Sequence, residues 1–420
     1  MTPVSFDPWL PTGTGVFSAE RPVSGDEPPA CSLKRPVCVH RAPGTSPEAA
    51  LRVLGALEQA YERLVLAMAL PPPLGDLGRG GSSALDLYLF PGADLELSVG
   101  HDSPEVDFAD RAAAFCRLQM PEHAAVQRAA TLCVAEAVAL GLDAAESPHL
   151  RRALATHLWW VAGRPTDKDL EAIDDVQTRP QRAVLTSARD RYSEGAALFL
   201  EYLDTTYSQG NPGALGVSLV AIGAGKTAPG ASDWDNNPDV MDVLRASLGG
   251  KPRRMAELMA GFAVERAFVG ARDDGTHLPS VGWAGEFGRV RFDWVIDWSS
   301  LPRRVASAHP IDPTGSVYVW LRLDEPPGAS TLAMQAQWES PTEFAWVLVG
   351  IGSDGRERSR FVVPYLQRAT SVEYRLENFA DATSLVIVGT NLGGVDASHP
   401  FDPDVTPFEG HACTVYLVRL

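Results

Sequence analysis

Near residue 282 the hydrophobic period of this chain changes, and apolar residues on two different periods build two different kinds of layer. On the C-terminal side Val317, Val319, Leu321 and Leu323 alternate with Tyr318, Trp320 and Arg322. Short runs at 344–351, 360–363, 371–376, 384–389 and 414–418 follow, separated by Gly, Asp, Asn and Pro. Brief strands with turn residues between them predict a β-sandwich. On the N-terminal side the three- and four-residue spacing of helices dominates. With 420 residues the chain also exceeds the roughly 250–300 at which one core stops growing. The reading is therefore an α+β chain, helix-rich with a small sheet and then all-β. It divides into an extended leader (1–30), a helical domain (31–280) and a sandwich-like domain (281–420), with the change of texture falling between about Gly282 and Pro313.

The leader is rich in Pro, Gly, Ser and Thr without a period. A short β-like run at 36–40 follows. Ser46, Pro47 and Glu48 then supply a cap, a first-turn proline and a carboxylate at the positive end of a helix dipole. Leu51, Leu54, Leu57, Tyr61, Leu64, Val65 and Met68 carry the helical spacing, which Pro71, Pro72 and Pro73 stop. Leu85, Leu87 and Leu89, then Leu95, Leu97 and Val99, alternate with polar residues and predict a β-hairpin or two successive strands, with a third strand at 115–120. Helical patterns cover 122–142, 148–161, 192–207, 239–248 and 255–268.

A formal net charge of −17 with no basic run excludes a phosphate-rich partner, so no DNA or RNA is expected. Lys34, Lys168, Lys226 and Lys251 are the only lysines, which reads as GC-rich bacterial coding bias. No run approaches the roughly 18–20 apolar residues of a membrane span. Met1 leads into Thr2 and Pro3 with no basic start, so no signal peptide is read. Cys31 and Cys38 flank a short loop, and Cys116 and Cys133 lie in neighbouring elements, leaving Cys413 alone. Two disulfides point to an oxidising compartment; five unpaired thiols in the cytoplasm are the alternative. No CxxC spacing offers a cysteine zinc site.

The order strand, long helix, strands, then a series of helices between Pro36 and Tyr207 resembles gluzincin-type zinc peptidases, in particular secreted metalloproteases of myxobacteria. Such enzymes carry HExxH on a helix, two histidines one turn apart for zinc and a glutamate that activates water, with a third ligand from an E-G-x-A-like segment. Glu194, Gly195, Ala196 and Ala197 match that last segment. Ala153, Leu154, Ala155, Thr156 and His157 stand where HExxH belongs, so the first histidine and the glutamate are missing. A second alignment places Ala135, Glu136, Ala137, Val138 and Ala139 on the motif, keeping the glutamate and losing both histidines. The resemblance implies a zincin-like fold over the helical domain with a relic site at His157 and Glu194, which a direct hydrogen bond between the two would close. It implies no metal, no cofactor and no catalytic residue. Outside the resemblance, His157 beside Trp159 and Trp160 reads as a packed core residue, Glu194 as a helix-start carboxylate, and Glu136 as a partner of Arg128 or a solvent-facing group.

Other motifs are incomplete. Gly223, Ala224, Gly225, Lys226 and Thr227 end like a phosphate loop but lead into Pro229, so the segment reads as a loop. Asp233, Asp235 and Asn237 begin like a calcium loop that Pro238 interrupts, and read as capping for a helix near Asp239. No HxH or HxxxH pair and no GxSxG elbow occurs. The expected function is a non-catalytic, extracytoplasmic peptidase-like protein that binds a protein, peptide or surface polymer. An edge strand near 94–100 or 115–120 would serve strand addition. An active hydrolase, most simply a metallopeptidase whose ligands are misaligned here, and a structural envelope component are the alternatives.

Overall fold

The computed structural model describes residues 20–22, 27–102, 111–184, 191–208, 210–223, 238–327, 330–394 and 410–420. Most of the leader, four residues of the phosphate-loop-like segment (224–227), and Asp233, Asp235 and Asn237 lie outside them. The chain groups into two compact units, Met1–Pro165 with Leu203–Val243, and Thr166–Tyr202 with Leu244–Leu420.

The first unit is built on a five-stranded sheet. Its strands are β1 (Ala30–Cys31), β2 (Val37–Arg41), β3 (Leu85–Pro91), β4 (Glu96–His101) and β5 (Ala114–Met120), in the order β1-β2-β3-β5-β4. β2, β3 and β5 are parallel, whereas β1 and β4 run antiparallel at the two ends. Residues 85–89 are buried on both faces of β3, as parallel strands covered on two sides must be. β3 and β4 therefore do not pair as a hairpin; β5 lies between them, so the strand at 115–120 is interior and β4 holds the edge.

Helix α1 (Pro47–Tyr61) crosses from β2 to β3, the connection that parallel neighbours require. Ser46 caps it, its hydroxyl accepting from Ala49 N at 3.1 Å. The helix then widens into a π-turn over Glu62–Ala67, closed by Met68 N donating to Arg63 O at 3.0 Å. That extra residue per turn rotates the apolar stripe. Leu64 and Val65 are buried, while Leu51, on the predicted stripe, is 61% exposed. Helix α2 (Gln127–Leu142) follows β5 and is buried along almost its whole length, and α3 (Pro148–Ala162) packs against it. Disulfides join Cys31 to Cys38, across β1 and β2, and Cys116 to Cys133, between β5 and α2.

Past α3 come α4 (Asp167–Thr178), α5 (Tyr192–Gly195), α6 (Ala197–Tyr207), α7 (Ala214–Gly223), α8 (Val240–Ser247) and α9 (Pro252–Glu265). Two of them, α4 and α7, have no counterpart in the sequence reading; Gly223 ends α7 and is not in a loop. Asp239 itself caps α8, accepting from Asp242 N at 2.7 Å. Helices α4, α5 and α9 lie within the range 31–280 expected for the helical domain, and they pack in the second unit. Among the described residues no helix is long and apolar enough to cross a membrane.

The β-rich remainder of the second unit comprises β6 (Trp294–Asp297), β7 (Arg303–Ala306), β8 (Ser316–Arg322), β9 (Leu332–Trp338), β10 (Thr342–Ile351), β11 (Glu357–Val362), β12 (Ser371–Leu376), β13 (Ser384–Gly394) and β14 (Cys413–Arg419). They form two sheets, β11-β10-β13-β8-β6 and β12-β9-β14-β7. Val319 and Leu321 of β8, Trp346 and Leu348 of β10, Met334 and Ala336 of β9 and Val415 and Leu417 of β14 share one core. The second sheet's other face is wet: Arg304, Gln337, Glu373 and Tyr416 are exposed. α9 covers the other face of the first sheet at β10 and β13, which is why Val386 and Val388, facing away from the shared core, are also buried.

The α4–α9 packing is pinned by one buried residue pair. Arg266, 1% exposed, donates from Nε to Gln177 Oε1 at 2.8 Å and from Nη2 to Val176 O at 2.7 Å. The guanidinium thus meets carbonyls at the C-terminal, partly negative end of α4. Tyr318 Oη donates to Ala263 O at 2.7 Å, tying β8 to α9.

Candidate functional site

β4 ends the first unit's sheet and is antiparallel to β5. In such a ladder alternate residues turn their N–H and C=O groups outward. Asp102 N, just past the strand, donates inward to Ala113 O at 2.9 Å, so Leu97, Val99 and His101 face out. Leu97 O is met at 3.5 Å by Arg152 Nη2 from α3. Arg152 Nε also lies 3.0 Å from Glu136 Oε1 of α2. Glu136 is 8% exposed, so it does not face solvent; Arg152, not foreseen in the sequence, is an ion-pair partner.

The residues proposed for the relic site fall in different units. His157 is fully buried on α3, beside Ala153 and Leu154, which are 0% and 1% exposed. Its Nε2 lies 3.5 Å from Asp204 Oδ2 on α6, within the first unit. Asp204 also accepts from Gly213 N. Glu194 is half-buried in the first turn of α5 and belongs to the second unit. Gly195 next to it has a packing role. A Cβ there would stand 2.1 Å from Ala172 O of α4, so only glycine allows α5 to approach α4 this closely. Among the described residues no group of three His, Cys, Asp or Glu side chains converges to hold a metal ion.

A charge cluster not foreseen in the sequence lies at one end of the first unit's sheet. Arg21 enters among three buried aspartates. Its Nε donates to Asp102 Oδ1 at 2.8 Å and its Nη2 to Asp102 Oδ2 at 2.6 Å. Nη2 also lies 2.8 Å from Asp76 Oδ2, and Nη1 donates to Asp86. Phe115 places its ring 5.2 Å below the guanidinium carbon. Asp86, with no exposure, also holds His40 Nε2 at 2.9 Å, and His40 stacks on Tyr88 at 4.6 Å. The loop after residue 75 shapes the pocket. Asp76 accepts from Gly78 N at 2.9 Å and from Gly80 N at 3.0 Å. A Cβ on Gly80 would stand 1.6 Å from Asp86 Oδ2. Burial raises Asp76 above the usual carboxylate range, against the opposing pull of Gly78 N and Arg21. Burial also works against the charge on Arg21, yet the hydrogen bonds and fields of Asp102, Tyr88 and Asp76 outweigh it and hold its pKa above the ordinary value. The sequence signal was the run Asp76, Gly78, Gly80, Gly81, a turn dense in glycine around one carboxylate.

Two further clusters are buried. In the first unit Asp143, Glu146 and Asp239 are each 2% exposed. Glu146 Oε2 accepts from Val240 N at 3.0 Å. Burial, reinforced by Asp239 and Asp143, pushes Glu146 well above the carboxylate range. In the second unit His277 donates from Nδ1 to Asp274 Oδ1 at 2.9 Å and from Nε2 to Glu357 Oε2 at 2.7 Å, and stacks on Phe268 at 3.9 Å. Burial opposes its charge, but the two carboxylates outweigh burial and raise its pKa. Glu357 is correspondingly drawn down to about 2, burial being overcome by His277 and Arg360.

No protein-family model matches the chain, and no curated protein matches it. Solved structures show slight likenesses. One is the pre-peptidase C-terminal domain of a collagenase from Bacillus anthracis, 8% identical over 31% of this chain and 97% of that one, with a TM-score of 0.19. Another is the VP2 subviral particle of infectious bursal disease virus, 11% identical over 28% of this chain and 33% of that one, with a TM-score of 0.19. A CBM4 structure is 14% identical over 28% of this chain and 80% of that one, with a TM-score of 0.15. At such scores these likenesses carry no argument about this chain.

Proposed function

We propose that this chain is a non-catalytic, peptidase-like protein that holds an extended polypeptide by adding it as a strand along β4. The observation that carries the reading is the position of β4, the antiparallel end strand of a sheet, with the outward carbonyl of Leu97 already accepting a hydrogen bond from Arg152. Order along the chain supports the zincin-like half of the reading: strand, helix, strand, antiparallel edge strand, strand, then the helix that bears Glu136. In that arrangement Ala135 and Ala139 occupy the histidine places of the second alignment, and a methyl group donates nothing to a metal. In the first alignment His157 is sealed among apolar side chains beside Asp204, which supports a packed residue over a water-activating one. The two disulfides support an oxidising, extracytoplasmic compartment.

The test is a titration of the full chain with a fluorescently labelled, reduced and alkylated polypeptide. Saturable binding is expected. Val99→Pro removes an outward N–H without touching the inward ladder to β5 and is expected to weaken binding about tenfold or more. Absence of saturable binding, or a Val99→Pro chain that folds and binds as well as the parent, would overturn the reading.

A further inference from the structure

Arg21 reaches the aspartate pocket across 65 residues to Asp86 and 81 to Asp102. Residues 20–22 have no regular secondary structure, and among the described residues their main chain makes no hydrogen bond. Among the described residues, the hydrogen bonds of this stretch are all made by the Arg21 side chain. Around it, Asp102 offers a two-pronged acceptor to Nε and Nη2, Asp76 and Asp86 take further N–H groups, and Phe115 backs the plane. This is the donor pattern of a guanidinium, planar and forked; an ammonium has neither the plane nor the fork. The three carboxylates are 3%, 0% and 6% exposed. Emptied of Arg21, they would keep, among the described residues, Arg79, 3.6 Å from Asp102 and 37% exposed, and the His40 ring, 2.9 Å from Asp86. Three carboxylates buried this deeply are unfavourable as charges without a cation, and the donor pattern they present suits another cation of the same shape.

We propose that Asp76, Asp86 and Asp102 form a guanidinium-binding pocket that Arg21 fills as a tethered ligand, and that an arginine side chain of another polypeptide takes its place when the stretch carrying Arg21 is withdrawn. The pocket needs no strand on β4, so it stands apart from strand addition. Because Asp86 also anchors His40, and His40 stacks on Tyr88, exchange of the occupant is felt in the sheet itself.

The experiment uses the full chain carrying Arg21→Ala, titrated with N-acetyl-arginine methylamide, with N-acetyl-lysine methylamide and calcium chloride in parallel, read by calorimetry and by thermal midpoint. Expected is saturable binding of the arginine probe, about tenfold or more tighter than the lysine probe. The parent chain, its pocket filled, should show none, and adding Asp102→Ala should abolish it. Should Arg21→Ala not fold alone, its refolding yield with the arginine probe against the lysine probe gives the same answer, selective recovery by arginine being the supporting result. No binding and no recovery with the arginine probe, or equal effects from lysine or calcium, overturns the proposal.

Discussion

Replacing Gly195 by alanine decides whether the Glu194–Gly195 segment is shaped by packing or by a site. The new Cβ would sit 2.1 Å from Ala172 O, 2.9 Å from the Ala172 carbonyl carbon and 3.0 Å from Val176 Cβ. A carbon and a carbonyl oxygen normally keep about 3.3 Å apart. The overlap therefore exceeds 1 Å by a wide enough margin that no rotamer change relieves it, because the obstacle is the backbone of α4. Helix α5 has to move off by roughly 1 Å, and overpacking of that kind costs about 1–3 kcal/mol. Alanine returns at most about 1 kcal/mol through its better helix propensity. A net loss of about 1–2 kcal/mol is expected. Urea denaturation measures it, and amide exchange across α4 should speed up while β2, β3 and β5 stay unchanged. A Gly195→Ala chain as stable as the parent, with α4 equally protected, would refute the packing argument and return the glycine to a role in a site.

Three other predictions rest on titration and cysteine chemistry. His277 has a raised folded pKa, so its stabilisation is complete below its unfolded value near 6.5 and fades as pH rises through the folded value. Glu357, drawn down to about 2, acts in the other direction, stabilising above about 4.5 and failing as pH falls toward 2. The stability gap between the parent and His277→Asn should therefore narrow from pH 5 to pH 8 in urea titrations; a constant gap would contradict the assignment. Burial pushes the Cys413 thiol up to about 12, and the other four cysteines are paired. Alkylation without reductant should label nothing in the folded chain and one cysteine after denaturation, as intact mass reads, and labelling of two or more would refute the pairing. Cys133→Ala should remove about 3 kcal/mol, the loop-closure value for 17 residues.

Legibility followed the strength of local signals. Ser46 with Pro47 and Ser147 with Pro148 mark helix starts by chemistry that acts within one turn, and both serines cap as their sequence says. β8, β10 and β13 were readable because Val, Ile and aromatic residues alternate or run on unbroken. β9 was not: Leu332, Ala333, Met334, Gln335, Ala336 and Gln337 have weak strand propensity and are held there by pairing with β12 and β14. α4 escaped notice because Asp167, Asp169, Asp174 and Asp175 dilute its stripe, although Thr166 and Asp169 form a capping box. The order β3-β5-β4 could not be read from the sequence, since three strands in succession leave open which two are neighbours. The aspartate pocket stayed hidden for a related reason: Arg21, Asp76, Asp86 and Asp102 share no spacing, and only the sheet brings them together.

That pocket also shows why buried charge bears more on binding than on fold. A buried ion cluster gains little over well-packed apolar side chains of the same volume, and it becomes strongly unfavourable once a partner is missing. The sandwich of the second unit illustrates the cheaper solution, with Trp346, Leu348, Val319 and Met334 sharing an apolar core. Leu85, Leu87 and Leu89 line one face of β3 with apolar side chains, while Asp86, on the alternate face, is given over to the charge cluster. What three aspartates do and three leucines cannot is discriminate among cations. Selectivity for a forked, planar cation is the property that this arrangement adds to the sheet, and it has that property whether the guanidinium arrives from residue 21 or from another chain.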